Sequence, residues 1–193
     1  MTILDLIGNT PLLSLDLDGL KDGVKLFAKA EFMNVGGSVK DRAAKAMLMK
    51  GIESGRLTKD KTVIDATSGN TGISYAMICS SLGYKVQLCI PANVSPERKC
   101  FMKAYGADII ETSPLEGIDG AYNEVQRIIS ETPGKYFYPD QYSNNENWLA
   151  HYNGTGKEIL SQTGGSITHF VSGTGTAGTF TGCVKRLKGY NSK

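Results

Sequence analysis

No apolar run in this 193-residue chain approaches the roughly 18 residues that a membrane-crossing helix needs. The sequence therefore offers no bilayer span and no membrane partner. Paired cysteine spacing is also missing. Cys79, Cys89, Cys100 and Cys183 lie scattered, which excludes a zinc or redox motif, implies no metal, and leaves reduced, partly buried thiols as the expectation. Charge of one sign is not in excess: 21 basic against 19 acidic residues leave +2, too little to recruit nucleic acid or an anionic surface. Met1-Thr2-Ile3-Leu4-Asp5 lacks the basic stretch and apolar core of a signal peptide, so a cytoplasmic location is expected. Internal repeats and low-complexity linkers are absent too. What is present is the composition of an α/β protein, 40% hydrophobic with 23 glycines to spend in turns.

The pattern alternates strand and helix. Pro11 forces Thr10 out of helical space ahead of a short extended segment, and Val24 to Glu31 reads as the first full strand. Further strands are expected at 62–66, 85–90, 107–111, 135–138 and 167–171. Helices are expected after Lys40, at 73–82 with Gly83 as stop, from Pro96 to Tyr105, at 120–130, 158–163 and 180–187. The stretch 140–156 is polar and reads as turns, while Lys185, Arg186 and Lys188 read as a solvated basic face near a helix C-terminus. Such alternation predicts a helix-covered parallel sheet.

Three loops carry the chemistry. Gly36-Gly37-Ser38-Val39-Lys40-Asp41-Arg42 is a glycine turn opening into a helix, with Ser38 expected as N-cap and Asp41 as its capping-box partner. Lys40 then lies in the first turn, where the helix dipole disfavours a cation. Desolvation there would depress its pKa and expose the neutral amine that Schiff-base chemistry uses. Thr67-Ser68-Gly69-Asn70-Thr71-Gly72 follows a strand and precedes a helix, a mouth of hydroxyls and N–H groups suited to a carboxylate or phosphate. Gly173-Thr174-Gly175-Thr176-Ala177-Gly178-Thr179 repeats that arrangement. Gly173 and Gly178 have the Walker spacing, but Thr179 stands where the lysine belongs. A dinucleotide loop is a rival, since Gly173, Gly175 and Gly178 match G-x-G-x-x-G, although its confirming acid some 20 residues on would fall past Lys193. A helix-start lysine, a carboxylate loop and a lysine-free phosphate cradle together fit pyridoxal 5'-phosphate.

The chain at this point resembles the β-family, or fold type II, of pyridoxal-phosphate enzymes, and within it the cysteine synthases. The three loops carry the resemblance, together with Ile7 to Leu12, Pro139-Asp140-Gln141-Tyr142 and Ala150 to Gly156. Glu116 to Ala121 and Ile167 to Val171 look most like the B-type branch. The resemblance implies a two-domain α/β fold, with residues 1–36 plus 141–193 as the larger, phosphate-binding domain and 37–140 as the smaller one. It implies Lys40 as Schiff-base lysine and Cα base. Asn70 would face the cofactor ring oxygen, and Gly173, Gly175, Thr176, Ala177, Gly178 and Thr179 its phosphate. Thr67, Ser68, Gly69, Thr71 and Gln141 would take the substrate carboxylate. The implied reaction is β-replacement, in which O-acetylserine or O-phosphoserine gives an aminoacrylate to which sulfide adds, yielding cysteine, in a homodimer. A cystathionine β-synthase-type reaction of serine with homocysteine is the alternative, and a non-catalytic folding or binding module is a third. Family members continue well beyond Lys193, so an incomplete larger domain, aggregation or swapping into dimers, and little β-replacement activity are expected, with slow turnover as the competing expectation. Val35 and Ala177 depart from the family's usual residues, with little harm expected from either.

Overall fold

A computed structural model describes residues 1–191. Strand β1 (Leu12–Leu15) pairs antiparallel with β2 (Leu26–Lys29), Leu12 opposite Lys29. The expected strand at Val24 to Glu31 is thus shorter, because Glu31–Met33 turns away as a 3-10 segment. The second sheet is parallel throughout, in the order β5-β4-β3-β6, with β3 at Thr62–Ala66, β4 at Lys85–Pro91, β5 at Asp108–Thr112 and β6 at Tyr136–Phe137. Helices α1 (Lys40–Glu53), α2 (Asn70–Leu82), α3 (Pro96–Ala104) and α4 (Gly117–Glu131) cover it. Successive residues of β3 bury opposite faces, as a parallel sheet requires. Val63 packs with Met47, Leu48, Tyr75 and Met102. Ile64 and Ala66 pack with Cys89, Ala121 and Val125 on the other side. Gly83 ends α2 in the left-handed region at φ 68°, as its glycine predicts.

Two expectations fail for physical reasons. The stretch 140–156 is mostly helical: α5 (Asn145–Ala150) runs through a π-helical turn, His151–Thr155, into α6 (Gly156–Thr163). Its polar composition misleads because Asn147, His151 and Thr155 face inward and are buried. Asn144 caps α5, its side chain accepting from the Glu146 N–H at 3.0 Å. Residues 167–171 form no strand. Among the described residues no strand lies alongside to complete a ladder, and Val171 is 92% exposed. Helix α7 (Gly178–Tyr190) leaves Lys185 and Lys188 exposed, as a solvated basic face requires. Lys185 lies over the Trp148 ring at 4.2 Å and Arg186 over Tyr152 at 5.2 Å, which ties α7 to the π-helical region.

Candidate active site

Lys40 is the first residue of α1, half-buried, and its own N–H donates to Ser38 Oγ at 3.2 Å. Its Nζ makes no hydrogen bond or ion pair among the described residues. Burial holds the ammonium below its usual range. The expected capping box is replaced by a tether. Asp41 does not reach back to Ser38; its buried carboxylate accepts from the Gly36 N–H at 2.6 Å and from the Ser74 hydroxyl of α2 at 2.5 Å. The glycine turn that presents Lys40 is therefore fastened to the helix behind the second loop. Arg42, also buried, grips Glu31 and Glu158 at 2.6 to 2.8 Å.

The second loop leaves the carboxyl end of β3. The Thr67 N–H continues the ladder to the Cys89 carbonyl at 3.1 Å, and the Thr67 hydroxyl takes the Gly69 N–H at 3.3 Å. The helix starts at Asn70 rather than Ile73, so Asn70, Thr71 and Gly72 form its first turn. Ser68 and Asn70 are exposed, and the Ser68 carbonyl accepts from Arg98 at 3.3 Å. Thr71 is buried and donates its hydroxyl to Gln141 Oε1 at 3.0 Å, while Gln141 Nε2 donates to the Ala66 carbonyl at 3.0 Å. A residue 70 positions distant is thus fixed to this loop.

The third loop enters α7. Gly173 and Gly175 are exposed, with nothing within 4 Å of where a Cβ would sit. Gly178, at the start of α7, is packed so closely on Asn147 Oδ1 that no side chain fits. Asn147 Nδ2 donates to the Gln141 carbonyl at 2.7 Å and to Thr176 Oγ1 at 2.9 Å. Thr179 Oγ1 lies 3.3 Å from His151 Nε2, and His151 Nδ1 lies 2.9 Å from Thr155 Oγ1. Burial first, then the nearby Arg42 charge, push His151 down to about 4, so it is a neutral imidazole at pH 7, and Lys40 is close enough to add to that effect. One hydrogen-bonded path therefore runs from the Lys40 turn through Asp41, Ser74 and α2 to Thr71, Gln141, Asn147 and Thr176. The sequence reading assigned nothing to Asn147, His151 or Ser74. The spacing of Asn147, His151 and Thr155 at four-residue intervals, polar on one helical face, was the available signal.

Ala177 is in the left-handed region at φ 60°, where an L side chain costs roughly 1–2 kcal/mol. The harmless substitution expected there is thus a strained one. Ala177→Gly should stabilise the chain by roughly 0.5–1 kcal/mol after the flexibility of glycine is subtracted, read as a higher urea midpoint at unchanged slope. An equal or lower midpoint would show that the loop relaxes around alanine.

The parts fit pyridoxal phosphate: an unpaired desolvated amine, an open glycine-threonine loop, and the N-terminus of a 13-residue helix, where an anion is favoured. No group of three or more His, Cys, Asp or Glu able to hold a metal occurs among the described residues. No helix among them is long and apolar enough to cross a membrane. Cys79, Cys89 and Cys183 are buried free thiols, pushed up to about 12 by burial, while Cys100 is exposed.

Residues 3–193 match the family model described as pyridoxal-phosphate dependent enzyme. A cysteine synthase of Aquifex aeolicus is 51% identical over 193 residues, covering 98% of this chain and 59% of the relative. Cysteine synthase B of Escherichia coli is 44% identical, covering 97% and 61%. A cystathionine beta-synthase of Dictyostelium discoideum is 41% identical, covering 96% and 38%. The crystal structure of a cysteine synthase from Entamoeba histolytica superposes with a TM-score of 0.94 at 39% identity, covering 98% of this chain and 57% of that one. The chain thus spans about 60% of the length of the cysteine synthases it matches.

Proposed function

The chain belongs to the family of pyridoxal-phosphate dependent enzymes, and we propose that it forms L-cysteine by β-replacement, from O-acetylserine or O-phosphoserine and sulfide. The observation that carries this reading is the hydrogen-bonded path joining the Lys40 turn, the 67–72 loop and the α7 cradle. When bound, the cofactor supplies an electron sink for charge developing at the substrate Cα. Lys40, held without a partner and with its proton loosened by burial, holds the cofactor and moves the Cα proton at Nζ. The N–H groups at the start of α7, with Gly173, Gly175, Thr176, Ala177, Gly178 and Thr179, take the phosphate. Asn147 and His151 keep the Thr176 and Thr179 hydroxyls in place. Asn70 faces the cofactor ring. Thr67, Ser68, Gly69, Thr71 and Gln141 take the substrate carboxylate and so orient Cα toward Lys40. Residues 1–36 with 141–193 act as the phosphate-side unit and 37–140 as the substrate-side unit, in a cytoplasmic homodimer.

The higher identity to cysteine synthases than to the cystathionine beta-synthase favours sulfide over homocysteine as the second substrate. Product analysis tests it: O-acetylserine with sulfide should give cysteine, whereas cystathionine from serine and homocysteine would transfer the reading to the second reaction. Failure of both, with cofactor bound, would leave the non-catalytic module.

Thr71→Ala removes a hydroxyl that rests on Gln141 Oε1 and would turn to the substrate carboxylate on binding, an interaction worth about 1.5–3 kcal/mol. Binding of an amino-acid substrate should weaken roughly ten- to a hundredfold, with cofactor affinity nearly unchanged, in paired titrations of the two ligands. Loss of the cofactor instead would identify the 67–72 loop as a phosphate site.

A further inference from the structure

Asp65 is 1% exposed in the middle of the parallel sheet, on the same face of β3 as Val63 and turned toward the buried Tyr75 of α2. Its Oδ1 accepts the Ala66 N–H at 2.8 Å, and its Oδ2 is the one buried side-chain polar atom without a hydrogen-bond partner among the described residues. An orphaned carboxylate oxygen in such surroundings calls for an explanation, because an unpaired buried charge is costly. The Gln141 backbone N–H and the Tyr75 hydroxyl face this carboxyl. Gln141 is therefore held from two consecutive residues of β3. The Asp65 carboxyl addresses its main-chain N–H, and the Ala66 carbonyl accepts from its side-chain Nε2. Its remaining amide oxygen is the acceptor for Thr71.

We propose that Asp65 is a positioning residue for the substrate-carboxylate site, holding Gln141, and through it the Thr71 hydroxyl, in register, and that the charge state of Asp65 sets how Gln141 is held. The inference rests on the reading of Thr71 and Gln141 as carboxylate-binding groups. Burial foremost, with the neighbouring Asp140 charge adding to it against the hydrogen bonds it receives, pushes Asp65 up to about 7. Below that pH the carboxyl is neutral. Its Oδ2–H can then donate to Tyr75 Oη, whose own hydroxyl points to Met47 Sδ at 3.8 Å. Above it, the new charge demands donors. The Tyr75 hydroxyl turns from Met47 and the Gln141 N–H is drawn in, shifting the Gln141 amide against Thr71. The titratable groups facing Asp65 are Tyr75 on α2, Cys89 on β4, and Tyr138, Asp140 and Tyr142 after β6; Glu124 and Arg127 of α4 act on Cys89.

The test is a pH titration of the Gln141 side-chain amide by nitrogen-15 NMR on the 193-residue chain, without ligands, assigned by its disappearance in Gln141→Asn. The expected result is an inflection near pH 7 that vanishes in Asp65→Asn. In Tyr75→Phe, which withdraws a hydroxyl that favours the charged form, the inflection should move upward by at least half a pH unit. A Gln141 amide that shows no inflection between pH 5.5 and 8.5 in the unaltered chain overturns the proposal, whether or not either variant folds. So does an inflection that persists unchanged in a folded Asp65→Asn. Because no ligand is present, an amide that titrates as expected in a chain that binds no amino acid would refute the carboxylate-site reading and leave the positioning role standing.

Discussion

Lys40→Ala is expected to abolish retention of pyridoxal phosphate through gel filtration, with the visible band and the borohydride-fixed label falling to background. The same substitution should raise the thermal stability of the cofactor-free chain. It removes a half-buried cation from the first turn of α1, where a positive charge opposes the macrodipole by about 0.3–1 kcal/mol, and installs the best helix former. The two signs belong together. A lysine kept for chemistry costs stability where it sits, and one kept for structure would not. Lys45→Ala is the control. Its ammonium donates to the Leu4 carbonyl at 2.7 Å, so its loss should leave cofactor retention intact. Retention of a borohydride-stable label in Lys40→Ala would remove Lys40 from the site.

Arg42→Met should destabilise the fold by about 3–5 kcal/mol, because it strands two largely buried carboxylates. Arg42 reaches Glu31 through Nε at 2.7 Å and Nη2 at 2.8 Å, and Glu158 through Nη1 at 2.6 Å and Nη2 at 2.8 Å. Lys29 adds a bond to Glu158 at 2.6 Å, and the Asn9 N–H another at 3.0 Å. This knot joins the segment before β1, the end of β2, α1 and α6, so it sets where Lys40's helix sits against α6. Burial alone would raise the Glu158 pKa, but the hydrogen bonds from Arg42 and Lys29 prevail and hold it at about 2. A depressed carboxylate contributes stability that is whole above its unfolded value and fades as pH falls from about 4.5 through 2. The melting temperature of Arg42→Met should thus fall by roughly 10 °C at pH 7, and the deficit should shrink as pH falls from about 4.5 toward 2 and both carboxylates protonate. A deficit independent of pH would mean that lost packing, not stranded charge, is the cause.

Much of the site was legible because it is local. A glycine turn before a run of helix formers places Lys40 at a helix start, and small polar residues between β3 and α2 make a loop at the ligand edge of a parallel sheet. The parts that were not legible depend on distant pairing. Asp41 looked like a partner for Ser38, three residues away, and instead spans to Ser74, 33 residues on. Nothing local in Glu158 marks it as the counter-ion of Arg42, 116 residues earlier. The polar run 140–156 looked solvated because sequence composition cannot tell an exposed Asn147 or His151 from one buried against α7. Residues 167–171 have the β-branched letters of a strand, but strand character is completed by neighbours. Ala177 was legible as a departure but not as strain, since φ is invisible in a one-letter code.

The most direct measurement is a peptide map of the unaltered chain after incubation with pyridoxal phosphate and reduction with borohydride. The expected result is a visible band that disappears on reduction and a single pyridoxyl label on the peptide carrying Lys40. A label on Lys29, Lys45 or Lys99 at comparable yield, or no band at saturating cofactor in a folded chain, would contradict the assignment of Lys40 as the residue that holds the cofactor.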